Sequence, residues 1–310
     1  MATGDIVLGP NQYGKAECRL VRITRDPDAA GDATRHGIED LNVTSQLRGD
    51  FEACHTEGDN SQVVATDTQK NTVYAFAKEH GVHSPEQFLT TLGEHFVGEF
   101  PWVHGGRWEA EQYTWDRIVA DGDPHDHAFV RAGRETRTCV VQRDGDELFV
   151  VSGLKDCTVL KSTGSEFHGF PRDRYTTLGD TTDRILATSV SAAWRYTPAA
   201  VASGLDYNAL YADVRDLLLE AFAQLHSLAL QQSIFAMGKA VLEQVEEVAE
   251  IKLSCPNKHH FLVDLAPFGL DNDHEVFFAA DRPYGLIQAT VQREGTPAEP
   301  RAWASIPGFA

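Results

Sequence analysis

What most constrains this chain is that it repeats itself. Val141-Gln142-Arg143-Asp144-Gly145 recurs as Val291-Gln292-Arg293-Glu294-Gly295, 150 residues later (141 to 291). Val64-Ala65-Thr66-Asp67, ahead of the first helical stretch, is echoed by Leu186-Ala187-Thr188-Ser189 ahead of the second. Two matches in the same order imply a duplicated unit, with repeats expected at 1–146 and 147–310. A length of 310 residues suits two units that each bury a core, at roughly 100–200 residues per domain.

Residue periodicity outlines each repeat. Residues 16–24 and 62–77 are rich in Val, Ile, Thr and aromatics with partial alternation, and read as strands. Residues 84–96 open with Ser-Pro, carry Glu86 and Gln87 in the first turn, and space Phe88, Leu89, Leu92 and Phe96 along one helical face. Residues 106–118 and 128–143 return to strand character, separated by the polar stretch 121–126. In the second half, 147–160 and 184–196 read as strands, 206–225 and 228–245 as helices, and 250–265 and 276–293 as strands. The implied design is α+β, antiparallel strands with helices on one face. Exposed sheet edges predict that copies of the chain assemble to cover them.

Charge and motif absences narrow the function. Lys and Arg number 27 against 46 Asp and Glu, a net charge of −19, and no basic block occurs. Such a surface repels a phosphate backbone, which argues against nucleic acid. An anionic ligand would need a few well-placed cations. No apolar run reaches the ~18–20 residues of a membrane span. The N-terminus lacks the basic and apolar regions of a secretory signal, the C-terminal residues match no receptor-read address, and a cytoplasmic protein is expected. Five cysteines at irregular spacing (Cys18, Cys54, Cys139, Cys157, Cys255) read as reduced, mostly buried thiols. Neither GxGxxG, GxxxxGK[ST] nor GxSxG is present, which weighs against nucleotide loops and a serine-hydrolase elbow.

Histidine pairs raise the question of a metal. His259 and His260, adjacent on a strand, would point to opposite faces and cannot share an ion. His125 and His127, set in a polar loop, could, yet no third ligand accompanies them. The plainer reading is a polar turn. The acidic stretch 26–32 suggests no role.

Three segments concentrate polar groups beside apolar strands: 162–170 (STGSEFHGF), 181–184 (TTDR) and 256–261 (PNKHHF). Singly they read as a loop with a hydrophobic anchor, a turn with a solvated Arg, and a bulge. Together they mark loops on a rigid scaffold, where chemistry concentrates.

The same residues carry a family likeness. Tyr13-Gly14-Lys15, the run from Val64 to Thr72 (VATDTQKNT), that from Leu160 to Phe167 (LKSTGSEF), Asp183-Arg184-Ile185-Leu186, Leu230-Gln231-Gln232 and Leu253 to Phe261 resemble urate oxidase, nearly end to end. The resemblance implies a tunnelling fold (T-fold) of two repeats. Subunits would pair into a β-barrel and stack into a homotetramer with active sites at subunit interfaces. It implies oxidation of urate by O₂ to 5-hydroxyisourate with release of H₂O₂, using no metal, flavin or other cofactor.

Carried over by residue, the likeness implies a proton relay of Lys15, Thr66 and His259. A hydroxyl flanked by an ammonium and an imidazole can pass a proton that it could not remove alone. Arg184 and Gln231 would clamp the substrate, a guanidinium fork meeting a flat anion. Phe167 would stack on the purine, and Asn257 would orient O₂ or the attacking water. Backbone at Thr66, Asp67 and Leu230 would complete the pocket. Lys15, Thr66 and Asp67 would come from one subunit, and the other site residues from its neighbour. His168 departs from the Trp of many eukaryotic members. A zinc-dependent pterin or purine enzyme of the same fold, or a purine-binding scaffold without turnover, are the other readings; metal analysis separates the first, and the intact Lys15, Thr66 and His259 set argues against the second.

Overall fold

The computed structural model describes residues 5–25, 35–133, 135–280 and 282–309, and the acidic stretch 26–32 lies outside them. The described chain runs β1 (Tyr13–Thr24), β2 (Gly37–Gly49), α1 (Glu52–Thr56), α2 (Thr66–Glu79), α3 (Pro85–Glu99), β3 (Val103–Gln112), β4 (Trp115–Ala120), β5 (Asp123–Arg131) and β6 (Thr136–Asp144). It continues with β7 (Glu147–Lys161), β8 (Leu186–Tyr196), α4 (Pro198–Ser203), α5 (Tyr207–Gln224), α6 (Leu230–Gln244), β9 (Val248–Asn257), β10 (His260–Leu262), β11 (Phe277–Ala279), β12 (Gly285–Gln292) and α7 (Pro300–Trp303).

Two compact units emerge. The first comprises Met1–Ser152, Pro198–Tyr207 and Glu299–Ala302. Its antiparallel strands run in the order β1-β2-β3-β6, with β4 and β5 forming a separate ribbon. On β2, Leu41, Val43, Ser45 and Leu47 alternate inward, the period-two signature of a half-buried strand. Helix α2 packs on β1, and α3 on β3 and β6. Ser84 caps α3 by accepting from the Gln87 N–H at 3.2 Å, and Phe96 stacks on the fully buried Trp108 of β3.

The second unit comprises Gly153–Thr197, Asn208–Ala298 and Trp303–Ala310. Its strand order is β7-β8-β9-β12, with β10 and β11 as a ribbon. Helix α6 packs on β9 and β12. Gly238 makes that approach possible, since a Cβ there would stand 2.6 Å from a Val291 methyl. The element order of the first unit thus recurs in the second, two strands, helices, and two further strands interrupted by a ribbon.

The structure corrects several sequence expectations. Residues 62–77 are not a strand: α2 starts at Thr66. Its buried residues, Gln69, Thr72, Val73 and Ala77, fall at helical spacing. Two of those four are polar, so an apolar-periodicity reading cannot see the face. Strand β2 went unread, its buried positions including Asp40 and Ser45. Of the two internal matches, the one at 141 and 291 closes corresponding strands, β6 and β12. The other does not correspond, because Thr66 and Asp67 open a helix while Leu186 to Ser189 begin β8. His125 and His127 lie on strand β5 rather than in a loop, with rings 4.5 Å apart. The 250–265 strand breaks after Asn257.

Each unit buries an Arg–Glu pair. In the first, Arg137 donates to Glu86 at 2.7 Å, Ser152 donates to the other Glu86 oxygen at 2.6 Å, and Arg137 also reaches the Tyr207 carbonyl. In the second, Arg195 donates to Glu250 at 2.7 Å, and the Trp303 indole donates to the same oxygen. Among the described residues no helix is long and apolar enough to cross a membrane. Replacing one partner of a buried pair strands the other charge, so Glu86→Ala should cost about 3–5 kcal/mol. Urea unfolding at fixed protein concentration measures it, and a loss below about 1 kcal/mol would show that Arg137 is satisfied without Glu86.

Candidate active site

The expected site residues fall into two groups, one in each unit. In the first unit, Lys15 stands on β1 opposite Ser45 of β2, immediately before a bulge at which Glu17 adopts a positive φ of 56°. Such bulges re-aim the neighbouring side chain. Gly14 permits the close pairing there, because a Cβ on it would lie 1.8 Å from the Ser45 carbonyl oxygen.

Helix α2 brings Thr66 and Asp67 to the same end of the unit. The Tyr13 hydroxyl donates to the Val64 carbonyl at 3.1 Å, tying β1 to the residues just ahead of α2. Ser45 donates to buried Gln69 at 3.0 Å, which anchors the first turn of α2 to β2. Thr66 and Asp67 are exposed at the helix start. Asp67 accepts from Lys70 at 2.5 Å and from Asn71 at 3.0 Å, and Lys70 holds its carboxyl below the usual carboxylate range, with a smaller contribution from Lys15. Lys70 is raised in turn by Asp67.

The second unit carries the other group. Residues 165–167 form a short extended segment between two neighbours. On one side Ser165 bridges Ser227, with Glu166 N–H donating to the Ser227 carbonyl at 2.7 Å. On the other, Phe167 and Thr181 exchange backbone hydrogen bonds at 2.8 and 3.0 Å. Arg184 is fastened to Ser165 twice, backbone N–H to carbonyl at 2.9 Å and Nε to Oγ at 3.2 Å. Its guanidinium lies 5.2 Å from the centre of the Phe167 ring, which itself stacks on Phe170. Among the described residues no carboxylate pairs with Arg184, and partial burial lowers its pKa from the ordinary arginine value.

Leu230 and Gln231 open α6, where backbone N–H groups lack helical partners. The segment before them is fixed by buried serines, Ser233 Oγ donating to Ser227 Oγ at 2.8 Å and Ser227 Oγ to the Ala229 carbonyl at 3.0 Å. Leu230 is buried and Gln231 exposed. Asn257 ends β9 in register with Thr188 on one side and Gly285 on the other. His259 follows in the two-residue link to β10. Burial lowers its pKa below 6.5, and the Arg184 charge lowers it further.

Phe167, Arg184 and His259 are thus brought together, as are Lys15 and Asp67 beside Thr66. Ser165, Ser227, Ser233 and Lys70 support these segments; Ser165 and Lys70 lie within the quoted motifs without an assigned role, and Ser227 and Ser233 were not singled out from sequence. Among the described residues no group of three or more His, Cys, Asp or Glu side chains is placed to hold a metal ion.

A guanidinium with Nε committed and its terminal nitrogens unpaired by carboxylate, next to an aromatic face and a neutral imidazole, suits a flat aromatic anion. Arg184→Gln removes one of the two causes of the low His259 pKa and leaves burial, so that pKa should rise without reaching 6.5. An NMR titration of the His259 ring reads this directly, and an unchanged midpoint would show that Arg184 does not act on it.

The chain was compared with known proteins. A family model described as Uricase matches residues 11–142 and 150–288. A uricase of Arthrobacter globiformis is 62% identical over 304 residues, covering 98% of this chain and 96% of that protein. One from Aspergillus flavus is 37% identical, covering 91% and 95%. A crystal structure of uricase from Arthrobacter globiformis superposes with a TM-score of 0.88 at 62% identity, covering 96% of this chain and 98% of that one. A uricase structure from Bacillus fastidious does so with a TM-score of 0.79 at 26% identity, covering 98% and 99%.

Proposed function

The chain belongs to the uricase family and is an α+β tunnelling-fold oxidoreductase, and on that premise we propose that it oxidises urate with O₂ to 5-hydroxyisourate and H₂O₂, without a metal or organic cofactor. The observation that carries this reading is Arg184, a partly buried guanidinium fastened through Nε to Ser165 and beside Phe167. Its terminal N–H groups suit the coplanar acceptors of a purine anion, with Gln231 taking another edge and Phe167 the ring face. Leu230 and Asp67 lend backbone groups.

Two electrons pass from the purine to O₂, and water adds at C5, so that urate, O₂ and water balance 5-hydroxyisourate and H₂O₂. Protons move through Lys15, Thr66 and His259. Thr66 accepts and donates at one oxygen, which suits a relay, and a neutral His259 is an acceptor ready at one end. Asn257 orients O₂ or water. The same family reading includes a homotetramer whose site is shared by two subunits. In it, Lys15, Thr66 and Asp67 of one copy meet Phe167, Arg184, Leu230, Gln231, Asn257 and His259 of the next, the repeats being 1–146 and 147–310.

The direct test mixes EDTA-treated protein with urate in aerated buffer and follows urate absorbance together with peroxide. Matching loss and formation are expected; activity that returns only on adding a metal would overturn the cofactor-free mechanism. Thr66→Ala and Lys15→Met should lower turnover by about 10²–10⁴-fold while leaving xanthine binding largely intact. Arg184→Ala should instead weaken xanthine binding by about 1.5–3 kcal/mol, the cost of a lost charge-assisted contact. An unchanged binding constant in calorimetry would remove Arg184 from the clamp.

A further inference from the structure

Residues 165–168 present two faces. Side chains alternate along extended backbone, so Ser165 and Phe167 share the face that meets Arg184, while Glu166 and His168 share the other. On that far face the Glu166 carboxylate spans two imidazoles. Its Oε2 accepts from His168 Nε2 at 2.9 Å and its Oε1 from His226 Nε2 at 2.5 Å. Both rings are about half exposed while Glu166 is largely covered, its side chain 20% accessible. The two hydrogen bonds, His226 first, hold the Glu166 carboxyl below the usual carboxylate range.

This arrangement does what the backbone does not. Toward residues 225–228 the backbone bonds stop at the Glu166 N–H, bonded to Ser227, and the Ser227 N–H, bonded to Gly164. Toward 181–184 the segment is held by Thr181, by Arg184, and by Thr163 donating to Asp183 at 2.7 Å. Among the described residues, the tie from His168, next to Phe167, to the 225–228 side is therefore the Glu166 side chain. His226 stands in the link leading to α6, whose first residues are Leu230 and Gln231.

We propose that Glu166, bridging His168 and His226, is a positioning residue that fixes the Phe167 ring relative to Arg184 and the start of α6. The inference rests on the urate-oxidising reading, and extends it to a residue that touches neither purine nor O₂. A carboxylate suits the task because it alone offers two equivalent acceptor oxygens to two N–H donors. A glutamine has one acceptor and would keep one imidazole as donor while forcing the other to change tautomer. Held in place, Phe167 contributes its stacking to the purine without an ordering cost at each binding event.

The test is a KM-against-kcat split in four proteins: wild type, Glu166→Ala, Phe167→Ala and the double variant. Glu166→Ala should raise KM for urate and the dissociation constant of xanthine about tenfold, a loss in the range of one or two hydrogen bonds, with kcat changed less than threefold. Glu166→Gln should recover part of that loss. In the Phe167→Ala background, removing Glu166 should change neither constant further, since a residue that acts through the ring has nothing left to position. An equal tenfold effect in both backgrounds would overturn the proposal, as would a Glu166→Ala enzyme with wild-type constants. A Glu166→Ala chain that loses its folded circular-dichroism signal would make Glu166 a folding residue and equally overturn it. Failure of the wild type to oxidise or bind urate is a separate result, and would remove the functional reading itself.

Discussion

Arg184 donates twice to Ser165, once from its backbone and once from Nε, and the site of the second unit hangs on that pair. The double attachment ties the approach to β8 to the 165–167 segment and sets the plane of the guanidinium. Ser165 is itself bridged to Ser227, and Ser227 is held by Ser233 on α6. Three buried serines, joined by a backbone bridge between Ser165 and Ser227 and a hydroxyl contact between Ser233 and Ser227, therefore connect the arginine to the helix start that carries Leu230 and Gln231. Larger side chains would not fit so close a backbone approach, and apolar ones would leave buried polar groups unsatisfied.

The same attachment resolves the charge problem. A net charge of −19 is unfavourable to an anion at long range, but salt screens exposed charges beyond about 8–10 Å. At about 4 Å a single cation is worth roughly 4 kcal/mol at an effective dielectric of 20. Short range wins. The nearby carboxylates are also engaged: Asp183 takes a hydrogen bond from Thr163, and Glu166 is spanned by two histidines. Neither competes for Arg184.

How much of this was legible depends on which groups face inward. Strands with long, largely apolar runs, such as β7 and β8, announce themselves by composition, and the α3 face of Phe88, Leu89, Leu92 and Phe96 by period. Helix α2 and strand β2 do not, because Gln69, Thr72, Asp40 and Ser45 occupy buried positions: Ser45 bonds Gln69, Asp40 takes a bond from Arg19, and Thr72 donates to the Thr68 carbonyl. The candidate site residues lie in polar motifs to which the resemblance assigns roles and in which periodicity shows nothing. What the motifs leave invisible is their support, since Ser227 and Ser233 are ordinary in sequence and matter only through a bridge made by folding.

If the proposed function holds, Arg184 also links binding to proton transfer. Its charge is the second cause, after burial, of the low His259 pKa. In the empty site both effects favour the uncharged imidazole over the protonated one. On the proposed reading, an anion seated on Arg184 offsets that positive field, and the proton affinity of His259 rises as the site fills. Substrate arrival then strengthens the base that its own oxidation needs. The gain is confined to the occupied site, where a proton has somewhere to go through Thr66. A histidine already basic in the empty enzyme would instead take its proton from water and arrive at the reaction with nothing left to accept.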